Sequence, residues 1–177
     1  PIFSDLLSGQ LQGEIQVSEK RVCDLEGYWL HPDLARGNQE KLYTTQTWWC
    51  EPDGTEGAVL WGNTALYPGQ VGDEYFMTRG HWHEKRDRGE LVVTVSGHGY
   101  QVLMGEDRVT RVEEMSPGST HWVPGHHAHR TVNVGEEPLV FFCAWPADCG
   151  HDYASLQEQG FSSRVLRFGG RPLLVAM

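Results

Sequence analysis

Short apolar runs broken by turn residues set the strongest limit on how this chain can fold. Glycine and proline take 21 and 9 of its 177 positions, and no stretch carries the sustained 3.6-residue apolar repeat of a long helix. Runs of strand length, rich in Val, Thr, Tyr, Phe and Trp, occur at 43–50, 74–78, 90–96, 100–104, 108–112, 121–123, 130–134 and 139–144. Between them stand Pro68-Gly69, Gly97-His98-Gly99, Gly105-Glu106-Asp107, Ser116-Pro117-Gly118 and Gly135-Glu136-Glu137-Pro138, all with hairpin and turn chemistry. Many short strands at regular spacing predict an antiparallel sandwich or barrel. Helix is expected only in short pieces, near 22–25 and 153–159. The first 40 residues are mixed in character and read as an arm.

The length suits one domain. A 20.0 kDa chain should fold to roughly 9,000 Å² of surface and bury about 70% of what it exposes unfolded, enough for one core. The formal charge is −10, from 14 basic and 24 acidic side chains, so no basic field exists to attract nucleic acid or an anionic membrane. The N-terminus shows no basic segment followed by an apolar one, so no signal peptide is expected. The longest apolar run, Leu139 to Trp145, is too short to cross a bilayer. Cys23, Cys50, Cys143 and Cys149 form no CxxC pattern and read as reduced structural thiols of a cytoplasmic protein. Nine histidines are the odd feature of the composition.

The histidines concentrate where chemistry is expected. In Thr78-Arg79-Gly80-His81-Trp82-His83-Glu84, an extended backbone puts His81 and His83 on one side and Trp82 and Glu84 on the other. Two imidazoles on one face, with a carboxylate returning on the next strand, suit a divalent metal. A second histidine-rich run, His121 to Asn133, lies downstream and contains His126, His127 and His129.

These two runs resemble the motifs of the cupins. Gly118, Pro124, His129 and Asn133 fall at the family spacing in the second motif, with His126 where a glycine is usual, and Gly97 follows Glu90 by seven residues in the first. The gap from His83 to Glu90 is longer than in most cupins. Together with Tyr67-Pro68-Gly69, Asp87-Arg88-Gly89-Glu90, Ala128-His129-Arg130-Thr131-Val132-Asn133 and Pro146-Ala147-Asp148-Cys149-Gly150-His151-Asp152-Tyr153, it resembles the cupin-type glucose-6-phosphate isomerases over residues 23–163. The resemblance implies an all-β cupin, a double-stranded β-helix or jelly-roll barrel with a short N-terminal arm and few short helices. It divides residues 1–177 into an arm (1–40), packed on or swapped with a partner, and a metal-binding barrel (41–177).

It further implies one divalent ion per chain on His81, His83, Glu90 and His129, with Fe2+ expected in the cell and Mn2+, Ni2+ or Zn2+ able to take its place. His127 shares strand parity with His129 and is the competing third histidine. Glu90 and His151 are the implied catalytic pair, and Tyr43, Thr64, Thr78, Gly80 and Tyr153 the implied substrate contacts. The implied reaction interconverts glucose 6-phosphate and fructose 6-phosphate, through an enediol with Glu90 as base or through a hydride shift. Arg79, Lys85, Arg86 and Arg88 could steer the dianion. Val92, His126 and Trp145 stand where the family prefers tyrosine. An iron-dependent cupin dioxygenase and a non-catalytic sugar-phosphate-binding cupin are the alternatives. A homodimer is expected, with Trp29, Trp48 and Trp49 at the interface or in the core.

Overall fold

The computed structural model describes residues 1–177. In chain order its strands are β1 (Phe3–Ser4), β2 (Leu11–Gln12), β3 (Gln16–Arg21), β4 (Lys41–Trp48), β5 (Val59–Leu66), β6 (Gln70–Val71), β7 (Glu74–Tyr75), β8 (Glu90–Ser96), β9 (Gly99–Gly105), β10 (Thr110–Met115), β11 (Thr120–Val123), β12 (His127–Asn133), β13 (Leu139–Pro146), β14 (Ser163–Phe168) and β15 (Arg171–Ala176). Helix is confined to a 3₁₀ segment, Val22–Tyr28, and to α1 (Pro32–Ala35) and α2 (Ala154–Gln159).

A six-stranded sheet in the order β11-β8-β13-β5-β4-β3 faces a three-stranded sheet, β10-β9-β12. Every strand pairing within them is antiparallel. This is the expected cupin barrel. A small sheet, β15-β14-β7-β6, continues from the free edge of β12, where Met77 pairs with Val132. The interior is sealed by large apolar side chains that are fully buried, among them Leu42, Leu66, Phe76, Met77, Leu103 and Leu139. Each contributes about 1.5–3 kcal/mol on leaving water.

Residues 1–40 pack against the barrel. β3 extends the six-stranded sheet by pairing with β4, Leu11 N–H donates to Gln46 Oε1 at 2.9 Å, and Asn63 Nδ2 donates to the Gly9 carbonyl. Trp29 is 2% exposed in the core, with its indole N–H on the Val22 carbonyl. Trp49 is 40% exposed. No helix is long and apolar enough to cross a membrane.

The boundaries differ from expectation in instructive places. The strand expected from residue 108 starts at Thr110, because Arg108 takes a left-handed φ of 62° at the end of the turn. β12 starts at His127 rather than 130 and so includes His129. β5 and the β14–β15 hairpin were not expected at all.

Candidate metal centre

Four elements bring the site together. β8 alternates buried and exposed side chains, so Glu90 and Val92 point inward while Leu91 faces out. His129 comes from β12 on the opposite sheet. The segment before β8 is pinned beside it: His81 and His129 exchange both backbone hydrogen bonds at 3.1 and 3.0 Å. Next along, Trp82 and Asp152 do the same at 3.2 and 2.8 Å. This extended backbone holds the His81 and His83 rings on one side, 5.3 Å apart. Gly80 makes the entry possible. Its φ is +74°, and a Cβ there would sit 2.9 Å from both Arg130 Cβ and the His129 carbonyl.

One donor atom from each of His81, His83, Glu90 and His129 lies within 4.8 Å of the others. His83 Nε2 and His129 Nε2 stand 3.5 and 3.3 Å from Glu90 Oε2. The Nε2 atoms of His81, His83 and His129 are all buried with no hydrogen-bond partner. Leaving such nitrogens unmet costs about 1–3 kcal/mol each. Three converging imidazole lone pairs and one carboxylate oxygen fit a divalent cation, and no thiolate or extra carboxylate competes. His83 is oriented by its other nitrogen, Nδ1, 2.9 Å from the Arg88 carbonyl. A carbonyl only accepts, so Nδ1 carries a hydrogen and Nε2 is the nitrogen left for a cation.

Electrostatics favour the ligand form of His81 and Glu90. Burial and the neighbouring His129 hold the His81 imidazole well below its ordinary pKa, hence neutral at pH 7. Burial would raise Glu90, but the attraction of the nearby His129 and His83 rings outweighs it and keeps the carboxylate ionised. Burial opposes protonation of His83, yet Cys149 and Glu90 push it up to about 10, so its Nε2 holds a proton that a cation would displace on binding. Burial lowers His151, whose ring packs 4.5 Å from that of His81 and stacks with Tyr153 at 5.9 Å and 9°.

The cluster opens into a cavity of about 150 Å³ bounded by Tyr43, Thr64, Thr78, Gly80 and Tyr153, among others. Its continuation toward solvent, about 250 Å³, is bounded by Trp49, Trp145 and His151. The residues named from sequence for substrate thus share one space with the four-residue cluster. The Tyr43 phenol is pushed up to about 12, by burial first and by Tyr153, and is a neutral hydrogen-bonding group.

Other expectations sort differently. His127 is outside the cluster, its Nδ1 on the Gly125 carbonyl at 2.9 Å. His126 is on an exposed turn with φ 60°, which explains why glycine is usual at that position and takes it out of the cavity. Val92 and Trp145 do line it. Asn133 is structural: fully buried, it donates to the carbonyls of Leu66 and Glu137 and accepts from Gly135 N–H, all at 2.9 Å. Lys85, Arg86 and Arg88 are engaged by carboxylates, Lys85 and Arg88 on Asp148 at 2.6 and 2.9 Å and Arg86 on Asp152 at 2.5 Å. They clamp the His83–Glu90 loop to the His151–Tyr153 loop and are not free to steer a dianion. Thr45 and Cys143 also line the cavity. Thr45 was readable from period-two spacing after Tyr43; Cys143 carried no signal of its own.

The family model described as Glucose-6-phosphate isomerase (GPI) matches residues 19–171. A glucose-6-phosphate isomerase of Pyrococcus horikoshii is 38% identical over 173 residues, covering 97% of this chain and 91% of the relative. A bacterial one, from Sinorhizobium medicae, is 34% identical over 161 residues, covering 88% and 74%. Among solved structures, oxalate decarboxylase from Bacillus subtilis superposes with a TM-score of 0.48 and 22% identity, over 62% of this chain and 26% of that one.

Proposed function

The chain belongs to the glucose-6-phosphate isomerase family, and on that premise we infer that it is an aldose–ketose isomerase interconverting glucose 6-phosphate and fructose 6-phosphate. The observation that carries this reading is the meeting of His81, His83, Glu90 and His129, with three unmet imidazole nitrogens, at the wall of the cavity that Thr64, Thr78 and Gly80 also line.

In this reading the four residues hold one divalent ion, Fe2+ in the cell. Such an ion, when bound, polarises the sugar's carbonyl and hydroxyl oxygens. The rest of the chemistry is assigned to the chain. Thr64 and Thr78 hydroxyls and the Gly80 N–H hold the phosphate, which fixes C1 and C2 of the open-chain sugar against Glu90 and His151. Glu90 takes the hydrogen of C2 as a proton through a carboxylate oxygen and returns it to C1, while the hydroxyl proton moves between O1 and O2. His151 is neutral near pH 7, with one nitrogen able to donate and the other to accept. It opens the ring by protonating the ring oxygen. Tyr153 stacks on His151 and fixes its plane. Trp49 and Trp145 at the mouth exclude water from the enediol.

The reading extends to a cytoplasmic homodimer. The four cysteines are free thiols, as in a reducing compartment. The edge strand β11 exposes Trp122 (57%) beside Leu91 (39%) of β8, an apolar edge that a second copy would cover. Light scattering tests that part separately.

Metal-reconstituted protein assayed for fructose 6-phosphate conversion tests the function. Chelator should abolish turnover and Mn(II) or Fe(II) restore it, and His83→Ala should remove nearly all of it. Undiminished turnover in metal-free protein would overturn the reading, and oxygen consumption without isomerisation would replace it with a dioxygenase.

A further inference from the structure

A chain of net charge −10 repels a sugar phosphate at long range, so its site needs a local cation with no other duty. Three of the four cations in the 79–88 segment already have carboxylates, as described above. Arg79 has none. Its guanidinium lies between two aromatic faces, 5.4 Å from the Tyr28 ring centroid and 4.9 Å from that of Tyr153, and Arg79 lines the cavity beside Tyr43, Thr78 and Gly80.

Ring faces favour the charge but accept none of the in-plane N–H groups. The Nε–H is buried without any partner. The stack also removes rotamer freedom in advance, so little entropy is lost when an anion pairs. Behind it, Arg130 Nη2 donates to the Arg79 carbonyl at 3.2 Å. In a trans peptide the next N–H points the opposite way, so the Gly80 N–H is directed away from the Arg130 guanidinium. Arg130 is itself 5% exposed, with its guanidinium 4.0 Å from the Phe161 ring centroid.

We propose that Arg79 is the specificity-determining cation of the site, its guanidinium pairing with the phosphate and selecting phosphorylated over unphosphorylated sugars. The proposal rests on the isomerase reading for its substrate, but not for its test, because binding of inorganic phosphate needs no turnover. The neutral side chains around the phosphate supply hydrogen bonds, and Arg79 supplies the charge.

The test compares wild type with Arg79→Gln and Arg79→Lys, each full-length and reconstituted with Mn(II). Titration calorimetry reads the binding of inorganic phosphate, and steady-state kinetics read fructose 6-phosphate. Arg79→Gln should weaken phosphate binding and raise KM about 10- to 100-fold, the worth of a charge-assisted pair at a half-buried site, with a much smaller fall in kcat. Arg79→Lys should recover part of the loss. Mn(II) stoichiometry and thermal midpoint separate this from misfolding. If Arg79→Gln does not fold, mapping of phenylglyoxal adducts on wild type decides: phosphate should shield Arg79. Unchanged phosphate affinity and KM in Arg79→Gln, or labelling of Arg79 indifferent to phosphate, overturns the proposal. If wild type binds phosphate through Arg79 yet turns over no sugar, the isomerase reading fails and the Arg79 assignment stands.

Discussion

The backbone carbonyl of Arg88 holds His83 Nδ1–H at 2.9 Å, while the Arg88 side chain reaches Asp148 at 2.9 Å on the far side of the site. One residue thus sets the tautomer of a cluster histidine and ties its loop to the segment that carries His151. Asp148 is 7% exposed, and its hydrogen bonds to Arg88 and Lys85 hold it well below the ordinary carboxylate range. Asp148→Asn removes the charge that both cations grip. The expected result is a 10- to 100-fold loss of Mn(II) affinity, the usual effect of loosening the groups behind a ligand, with the far-UV spectrum unchanged. Metal titration followed by electron paramagnetic resonance checks it. Undiminished affinity would show that the Arg88 carbonyl is fixed without Asp148.

That relationship marks the limit of what the amino-acid order makes legible. The HxH pair, Glu90 and His129 could be read because β-strand alternation and motif spacing are local rules that survive folding. The ion clamp could not. Lys85 and Arg88 are separated by about sixty residues from Asp148, and in sequence they look like a solvated basic loop. Arg79 sits in that same loop, and only its ring neighbours Tyr28 and Tyr153 distinguish it. Among the strands, β5 was hidden because Gly62 and Asn63 interrupt its apolar run, yet Asn63 is 4% exposed and bonded to Gly9 and Gln46. The β14–β15 hairpin had a legible signal in Gly169-Gly170 between two apolar runs. Trp29, which its neighbours in sequence leave open between interface and core, is in the core.

Arg164 of β14 and Glu74 of β7 form a buried ion pair within the small sheet, and both reach the Tyr28–Leu30 segment. Arg164 Nη1 lies 2.7 Å from Glu74 Oε1 and 2.9 Å from the Tyr28 carbonyl, and Glu74 is 2% exposed. Arg164→Met leaves a buried carboxylate with only the Leu30 N–H as partner. The expected loss is about 3 kcal/mol, near the low end for breaking a buried pair, or a fall of about 6–12 °C in midpoint. Adding Glu74→Gln should restore much of it, because the uncompensated charge is then gone. No recovery in the double variant would mean that packing, not charge, sets the cost.

His126 holds a left-handed backbone, φ 60°, that glycine adopts without a Cβ penalty. Its contact with Glu106 at 3.1 Å is between side chains more than half exposed and is worth little. His126→Gly should therefore stabilise the fold by about 1 kcal/mol, a rise of about 2–4 °C in calorimetry. Turnover should stay at the wild-type level, because the side chain lies outside the cavity. A lowered midpoint would mean that the Glu106 contact outweighs backbone strain.

Asp152 couples the site loops to pH. The Ser155 hydroxyl, then the Ser155 N–H and Arg86, bring its carboxylate down to about 2, against about 3.9 in the unfolded chain. A depressed folded pKa means that the unfolded state binds the proton first, so stability is full above the unfolded value and is lost as pH falls through the folded one. After allowance for solvent at a side chain 19% exposed, the contribution at neutral pH is about 1 kcal/mol. Urea midpoints of wild type and Asp152→Asn should differ by that amount at pH 6 and converge as pH is lowered from about 4 toward 2. A gap that stays constant across that range would assign the loss to the Ser155 hydrogen bonds rather than to the charge.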